Sequence, residues 1–145
     1  MKVSMNKVIS AAFLSAALAV FGFGGASIAA EELSLDGVWE ADNGESRYSL
    51  ALCGDGTQLC ALLTWIREDV QNERNRPYIN QFVVDKARLA GTNPLKWKGK
   101  INIYGMKVDG SVTLVNDSRF VVKGCAFAFF CEETGANRVV KSASN

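Results

Sequence analysis

"LDGVWEA" (residues 35–41) is the stretch whose reading decides the fold. It reads as a first strand opened by Gly-Val-Trp, with Gly37 and Trp39 at its start. In small up-and-down β-barrels a first-strand Gly-x-Trp closes the base, and an arginine from the final strand covers the indole. Arg138 lies in the last strand-like run of this chain. A cation over an aromatic ring contributes about 0.5–2 kcal/mol, depending on its desolvation. Gly37, Trp39 and Arg138 are therefore the expected structural trio of a barrel. The plainer alternative makes Trp39 an ordinary core aromatic and Arg138 a solvated charge.

Outward from that stretch the chain is a series of short β-rich runs punctuated by Gly, Asn and Asp, without a helical period. Strands are expected near residues 35–41, 46–53, 60–66, 79–84, 97–104, 111–115, 119–125 and 136–141. "VDG" (108–110) and "NDS" (116–118) carry tight-turn chemistry, and "VDKARLAG" (84–91) could form one helical turn. "EDVQNERNRP" (68–77) is the long polar connection. Such a meander folds as a barrel or a sandwich. The Gly-x-Trp and Arg138 favour an all-β, small antiparallel up-and-down barrel of about eight strands.

Residues 1–30 have the order of a cleaved signal peptide. Lys2 and Lys7 precede the uncharged "VISAAFLSAALAVFGFG", and small residues run to Ala29 and Ala30. Removal after Ala30 leaves 145 − 30 = 115 residues, one domain at 31–145 with room for a single core. The charge then moves from 16 − 15 = +1 to 14 − 15 = −1, because only two lysines are lost. A near-neutral domain gives no reason to expect nucleic acid as a partner. No later stretch reads as a transmembrane helix, so the processed chain is not expected to be an integral membrane protein.

An exported chain with four cysteines and no histidine is expected to form disulfides rather than a metal site. Cys53 and Cys60 flank "GDGTQL", a strong turn signal between two strand-like runs, so they are expected to bridge a hairpin. That leaves Cys125 for Cys131, either side of "AFAFF". A straight strand would hold those Cα atoms about 20 Å apart, whereas a disulfide needs roughly 4.4–6.8 Å. The segment is therefore expected to be a loop. Each small ring should stabilise the fold by about 2.4 kcal/mol on a loop-entropy estimate.

"GVW" (37–39), "CGDGTQLCALLTW" (53–65), "RNRP" (74–77) and "KGC…FC" (123–131) followed by Arg138 occur in that order. Together they resemble the domain of unknown function 2147 family of small exported bacterial proteins. The resemblance covers most of the chain past residue 30. It implies a lipocalin-like barrel and a periplasmic or secreted location, and carries no established activity. Two features depart from the family pattern: the region before "RNRP" is shorter, and Ala136 stands where a tryptophan is common.

Eight strands enclose an interior that side chains just fill, or that holds one small ligand. The expected lining is Tyr48, Leu50, Leu52, Leu63, Trp65, Ile101, Ile103, Phe120 and Val122, all of which a plain core would use equally. Phe127 and Phe129, with Phe130, are expected to supply a lid, at least one of them folding inward. Arg74 and Arg76 offer guanidinium forks to an anionic cell-envelope component, unless Glu68, Asp69 or Glu73 pairs with one of them. Lys96, Lys98 and Lys100 share a strand face opposite Trp97, as a basic surface or as an edge guarded against aggregation. Catalysis has little support. There is no histidine base, no dinucleotide or phosphate loop and no cofactor motif, and adjacent acids on a strand point to opposite faces. The expected function is non-enzymatic binding of a small apolar or amphipathic ligand. The alternative is a protein- or polymer-interaction module built on the Arg74–Arg76 loop and the 96–100 strand.

Overall fold

The computed structural model describes residues 35–127 and 129–141, so the expected signal peptide at 1–30 lies outside the described residues. Eight antiparallel strands run in sequence order: β1 (Gly37–Ala41), β2 (Ser46–Cys53), β3 (Gln58–Ile66), β4 (Phe82–Thr92), β5 (Leu95–Ile103), β6 (Met106–Asn116), β7 (Arg119–Ala126) and β8 (Phe130–Lys141). Each pairs with the next and β8 returns to β1, closing an up-and-down barrel.

The base closes as the opening stretch predicts. Gly37 adopts φ 134°, a conformation that favours glycine. Two residues on, the fully buried Trp39 donates its indole N–H to the Leu35 carbonyl at 3.0 Å. Its ring packs 5.1 Å from Phe120, and the Arg138 guanidinium lies 4.4 Å from its centroid. Arg138 also donates from Nη1 to the Asp36 carbonyl at 2.6 Å, tying the last strand to the start of the first. A second indole seals the same end, with buried Trp97 donating to the Thr57 carbonyl in the β2–β3 turn at 2.9 Å.

Three local expectations are corrected. Residues 84–91 are strand throughout, not a helical turn. A bulge around Lys86 (φ 53°) shifts the register from Val84↔Ile101 to Arg88↔Lys98, so the inward residues Val84 and Ala87 stand three apart. That spacing imitates a helix face. "VDG" (108–110) is likewise interior strand. The turn before it is Tyr104–Gly105, both at positive φ (48° and 91°), the pattern of a type I′ hairpin. Gly110 is glycine for a different reason, since a Cβ there would run into Ile101 and the Lys123 carbonyl. Finally, β5 is paired with both β4 and β6, so its lysines guard no edge.

Both expected disulfides form, with Cα separations of 5.9 Å (Cys53–Cys60) and 4.0 Å (Cys125–Cys131). The second resolves the two readings of "AFAFF". Cys125 directly opposes Cys131 and Ala126 opposes Phe130, so strand pairing continues past the cysteines and the turn is confined to the tip.

Candidate functional site

The strand arrangement fills one end of the barrel and leaves space toward the other. Large inward side chains (Trp39, Leu59, Trp97, Leu114, Phe120) pack the base. Above them β1, β3 and β8 turn small residues inward, with Ala41 and Ala136 paired across the β1–β8 seam and Ala61 on β3. The result is a cavity of about 210 Å³, walled by these alanines with Tyr48, Leu50, Leu63, Ile101, Val112, Phe120 and Val122. Among the described residues no charged side chain lines it.

Its polarity is confined to a few groups, chiefly the Tyr48 and Tyr104 hydroxyls, Asn102 and Thr134. The Tyr48 hydroxyl shares a 2.8 Å hydrogen bond with Oγ of buried Ser46. Burial pushes the Tyr48 hydroxyl above its ordinary pKa, only partly opposed by that bond. Burial also raises Tyr104, with the Glu45 charge adding to the shift. Both phenols are therefore neutral at pH 7 and offer hydrogen bonds rather than charge.

A second hollow of about 330 Å³ continues from the cavity, sharing Ile101, Ile103, Val122 and Thr134 with it. It runs under the β5–β6 and β7–β8 hairpins, where Met106 and Phe130 add apolar surface and Glu132 and Glu133 add carboxylates. Together the two hollows make an uncharged interior that opens onto an amphipathic trough.

Sequence reading placed Tyr48, Leu50, Leu63, Ile101, Ile103, Phe120 and Val122 correctly along this wall. Leu52 does not reach it and is 48% exposed. Trp65 is on the outside. A bulge puts Thr64 and Trp65 opposite the single residue Arg47, which turns Trp65 outward and returns Ile66 to the interior. The outward indole instead carries the Arg47 guanidinium 4.6 Å from its ring centroid. The small wall residues were missed because an inward alanine or glycine gives no hydrophobic signal. The Phe120↔Ala136 and Val122↔Thr134 pairs lie on the same alternation and pointed to them.

The expected lid is absent. Phe127 and Phe129 are 83% and 86% exposed, and Phe130 is 72% exposed, so none folds into the barrel. Cys125 opposes Cys131 and pairing runs on to Ala126↔Phe130, so the segment is a hairpin tip rather than a loop folded inward. Arg74 and Arg76 are exposed on the β3–β4 connection and do not line the cavity. The expected carboxylate partner is also different, because Asp69 is taken by Arg67, and among the described residues neither Arg74 nor Arg76 has an ion pair. The structural residue of "RNRP" is buried Asn75, whose side chain accepts from the Asn72 amide and donates to the Val70 carbonyl, both at 2.9 Å. Tyr78 then lays the connection against Tyr104, with ring centroids 6.0 Å apart.

No family model matches the chain, and neither a curated protein nor a solved structure does.

Proposed function

We propose that the barrel is a non-catalytic binding protein for a small neutral apolar molecule, or for the apolar end of an amphiphile whose remainder lies in the trough. The observation that carries this reading is the cavity of about 210 Å³, in which no wall residue among the described residues is charged. Engineered apolar cavities of roughly 150 Å³ stay dry and take up benzene, so a space of this size and lining suits a ring or a short alkyl segment. Tyr48 and Thr134 would orient a hydroxyl, ester or amide on the ligand. The tyrosines are the titratable groups in the cavity, and both are held protonated. The wall therefore supplies neither a base nor a nucleophile at neutral pH, which favours binding over reaction.

We read the setting as exported, periplasmic or secreted, which suits the two cystines, and the chain as a relative of the domain of unknown function 2147 family on its motif resemblance alone. No helix among the described residues is long and apolar enough to cross a membrane. The outward face of β5 carries the exposed side chains of Lys98 and Lys100, a poor surface for hydrocarbon.

The test is calorimetric titration of the delipidated protein with naphthalene derivatives and short-chain alcohols. Expected is one site with a negative heat-capacity change. Ala136→Phe, placed to fill the cavity, should abolish that binding while leaving the barrel folded. A native protein that binds none of these probes, or a filled variant that binds them equally well, overturns the reading. Tryptophan emission is a poor reporter, since none of the three indoles lines the cavity.

A second reading rests on the outer wall. Arg88 and Lys98 oppose each other directly across β4 and β5, and neither has an ion pair among the described residues. Like charges placed opposite on a sheet are destabilising. An anionic polymer or protein would relieve that repulsion, with Lys96 beside the pair and Arg74 and Arg76 on the β3–β4 connection. Retention on a polyanion column that is unaffected by Arg88→Ala with Lys98→Ala would remove this alternative.

A further inference from the structure

The β7–β8 hairpin ends in a short cystine-tied finger, the tip from Ala126 to Phe130 that lies beyond the last β6–β7 pair. β8 runs six residues beyond its last partner on β1, from Ala136 (paired with Ala41) to Phe130. At about 3.3 Å per residue that is roughly 20 Å of strand whose outer edge is unpaired among the described residues, while β7 stays paired with β6 as far as Cys125 (opposite Asp109). Its far end, "GCAFAFFC" (124–131), has no charge, is cross-linked by Cys125–Cys131 and presents Phe127, Phe129 and Phe130 to solvent. Phe127 is held at φ 54°, a conformation unfavourable for a bulky residue, in a tip fixed by the disulfide two residues away. Exposed apolar surface in this amount marks an interaction site.

The surroundings indicate the partner. A protein strand adding to the free edge of β8 would meet Glu132 and Glu133, the kind of charged residues that blunt sheet edges. Behind the apolar end stand two cations, Lys123 (opposite Glu133) and Lys107 on the neighbouring β5–β6 hairpin, and the two carboxylates Glu132 and Glu133. None of the four has an ion pair among the described residues. Two free charges of each sign complement a layer that carries both phosphate and ammonium groups. The uncharged tip beyond the β6–β7 pairing, from Ala126 to Phe130, is short enough to lie within the roughly 5–10 Å to which interfacial elements bury their apolar faces.

We propose that the cystine finger is a membrane-interface anchor that inserts Phe127 and Phe129 into a zwitterionic phospholipid surface. The charged groups behind it would sit among the headgroups. The inference does not depend on what occupies the cavity, although insertion would bring the trough opening to the lipid.

The experiment is flotation of the barrel (residues 31–145) with vesicles of phosphatidylcholine and phosphatidylethanolamine. The native protein should float with the vesicles, with little dependence on salt. Phe127→Ser with Phe129→Ser should lower partitioning about a hundredfold, at about tenfold per phenylalanine, with an unchanged melting temperature because both rings are already in water. In a separate Phe129→Trp variant, brominated acyl chains should quench emission that they leave untouched in the native protein. Absence of vesicle binding, equal binding by the serine variant, or binding that requires anionic lipid and disappears with salt would each overturn the proposal.

Discussion

Replacing Arg138 by alanine tests the barrel's closure at its most connected point. The guanidinium lies 4.4 Å from the Trp39 ring centroid and donates to the Asp36 carbonyl at 2.6 Å. A partly desolvated cation–π contact contributes about 0.5–2 kcal/mol. A hydrogen bond from a charged donor adds about 1.5–3 kcal/mol. The two are not additive, since both depend on the same side chain and on the Trp39–Leu35 bond beneath it, so the expected loss is about 2–4 kcal/mol. For a domain of this size that lowers the melting temperature by roughly 10 °C or more. The assay is urea unfolding followed by near-ultraviolet circular dichroism, with Arg76→Ala as the control. Arg76 is exposed and should fall within about 0.5 kcal/mol of the native protein. Arg138→Lys should recover less than half of the loss, because an ammonium cannot stack flat on an indole while donating sideways. If Arg138→Ala and Arg76→Ala unfold at the same urea concentration, the arginine does not close the base and the reasoning fails.

Tyr48→Phe should cost about 1 kcal/mol at pH 7 by leaving Ser46 without its phenol partner, as measured by urea unfolding. Because burial raises Tyr48 in the folded state, its contribution is complete below the unfolded value near 10.0 and is lost as pH rises from there through the raised folded value. The variant should therefore show a shallower alkaline loss of stability. Asn75→Ala should loosen the β3–β4 connection by about 1–3 kcal/mol of local stability and speed proteolysis there, whereas Arg74→Ala should not. Cys53→Ser with Cys60→Ser should cost about 2.4 kcal/mol on the loop-entropy estimate, read as a lower melting temperature than that of the oxidised native protein.

The barrel was legible because its strongest signals are covalent or large. A tryptophan following Gly37, an arginine near the end and two closely spaced cysteine pairs each admit few arrangements. Bulges were not legible. At Lys86 and at Thr64–Trp65 one extra residue inverts the inside–outside alternation, and period-two counting cannot see it. It therefore misplaced Trp65 and mistook β4 for a turn of helix. Asp109–Gly110 misled in the opposite way. The glycine answers to a neighbouring strand's Ile101 and Lys123, which are distant in sequence. The cavity was half legible, since its aromatic and aliphatic wall was named while the alanines that create the space were not.

Those alanines argue for function more strongly than the aromatics do. A barrel selected for stability alone would carry its base packing upward, because each added buried methylene contributes about 0.8 kcal/mol. Here the inward positions at Ala41, Ala61 and Ala136 stop short of one another and leave a space between Tyr48 and Phe120. A plain core residue at Ala136 would remove the space, and nothing in the strand pairing forbids one, since Ala136 opposes Phe120 in regular register. Stability forgone at a specific set of positions, next to two neutral phenols and a trough, is a pattern that supports the proposed binding function. The same reasoning separates the two ends of the molecule. Trp39 and Trp97 close the base, while Phe127 and Phe129 of the finger line neither hollow and are left to solvent.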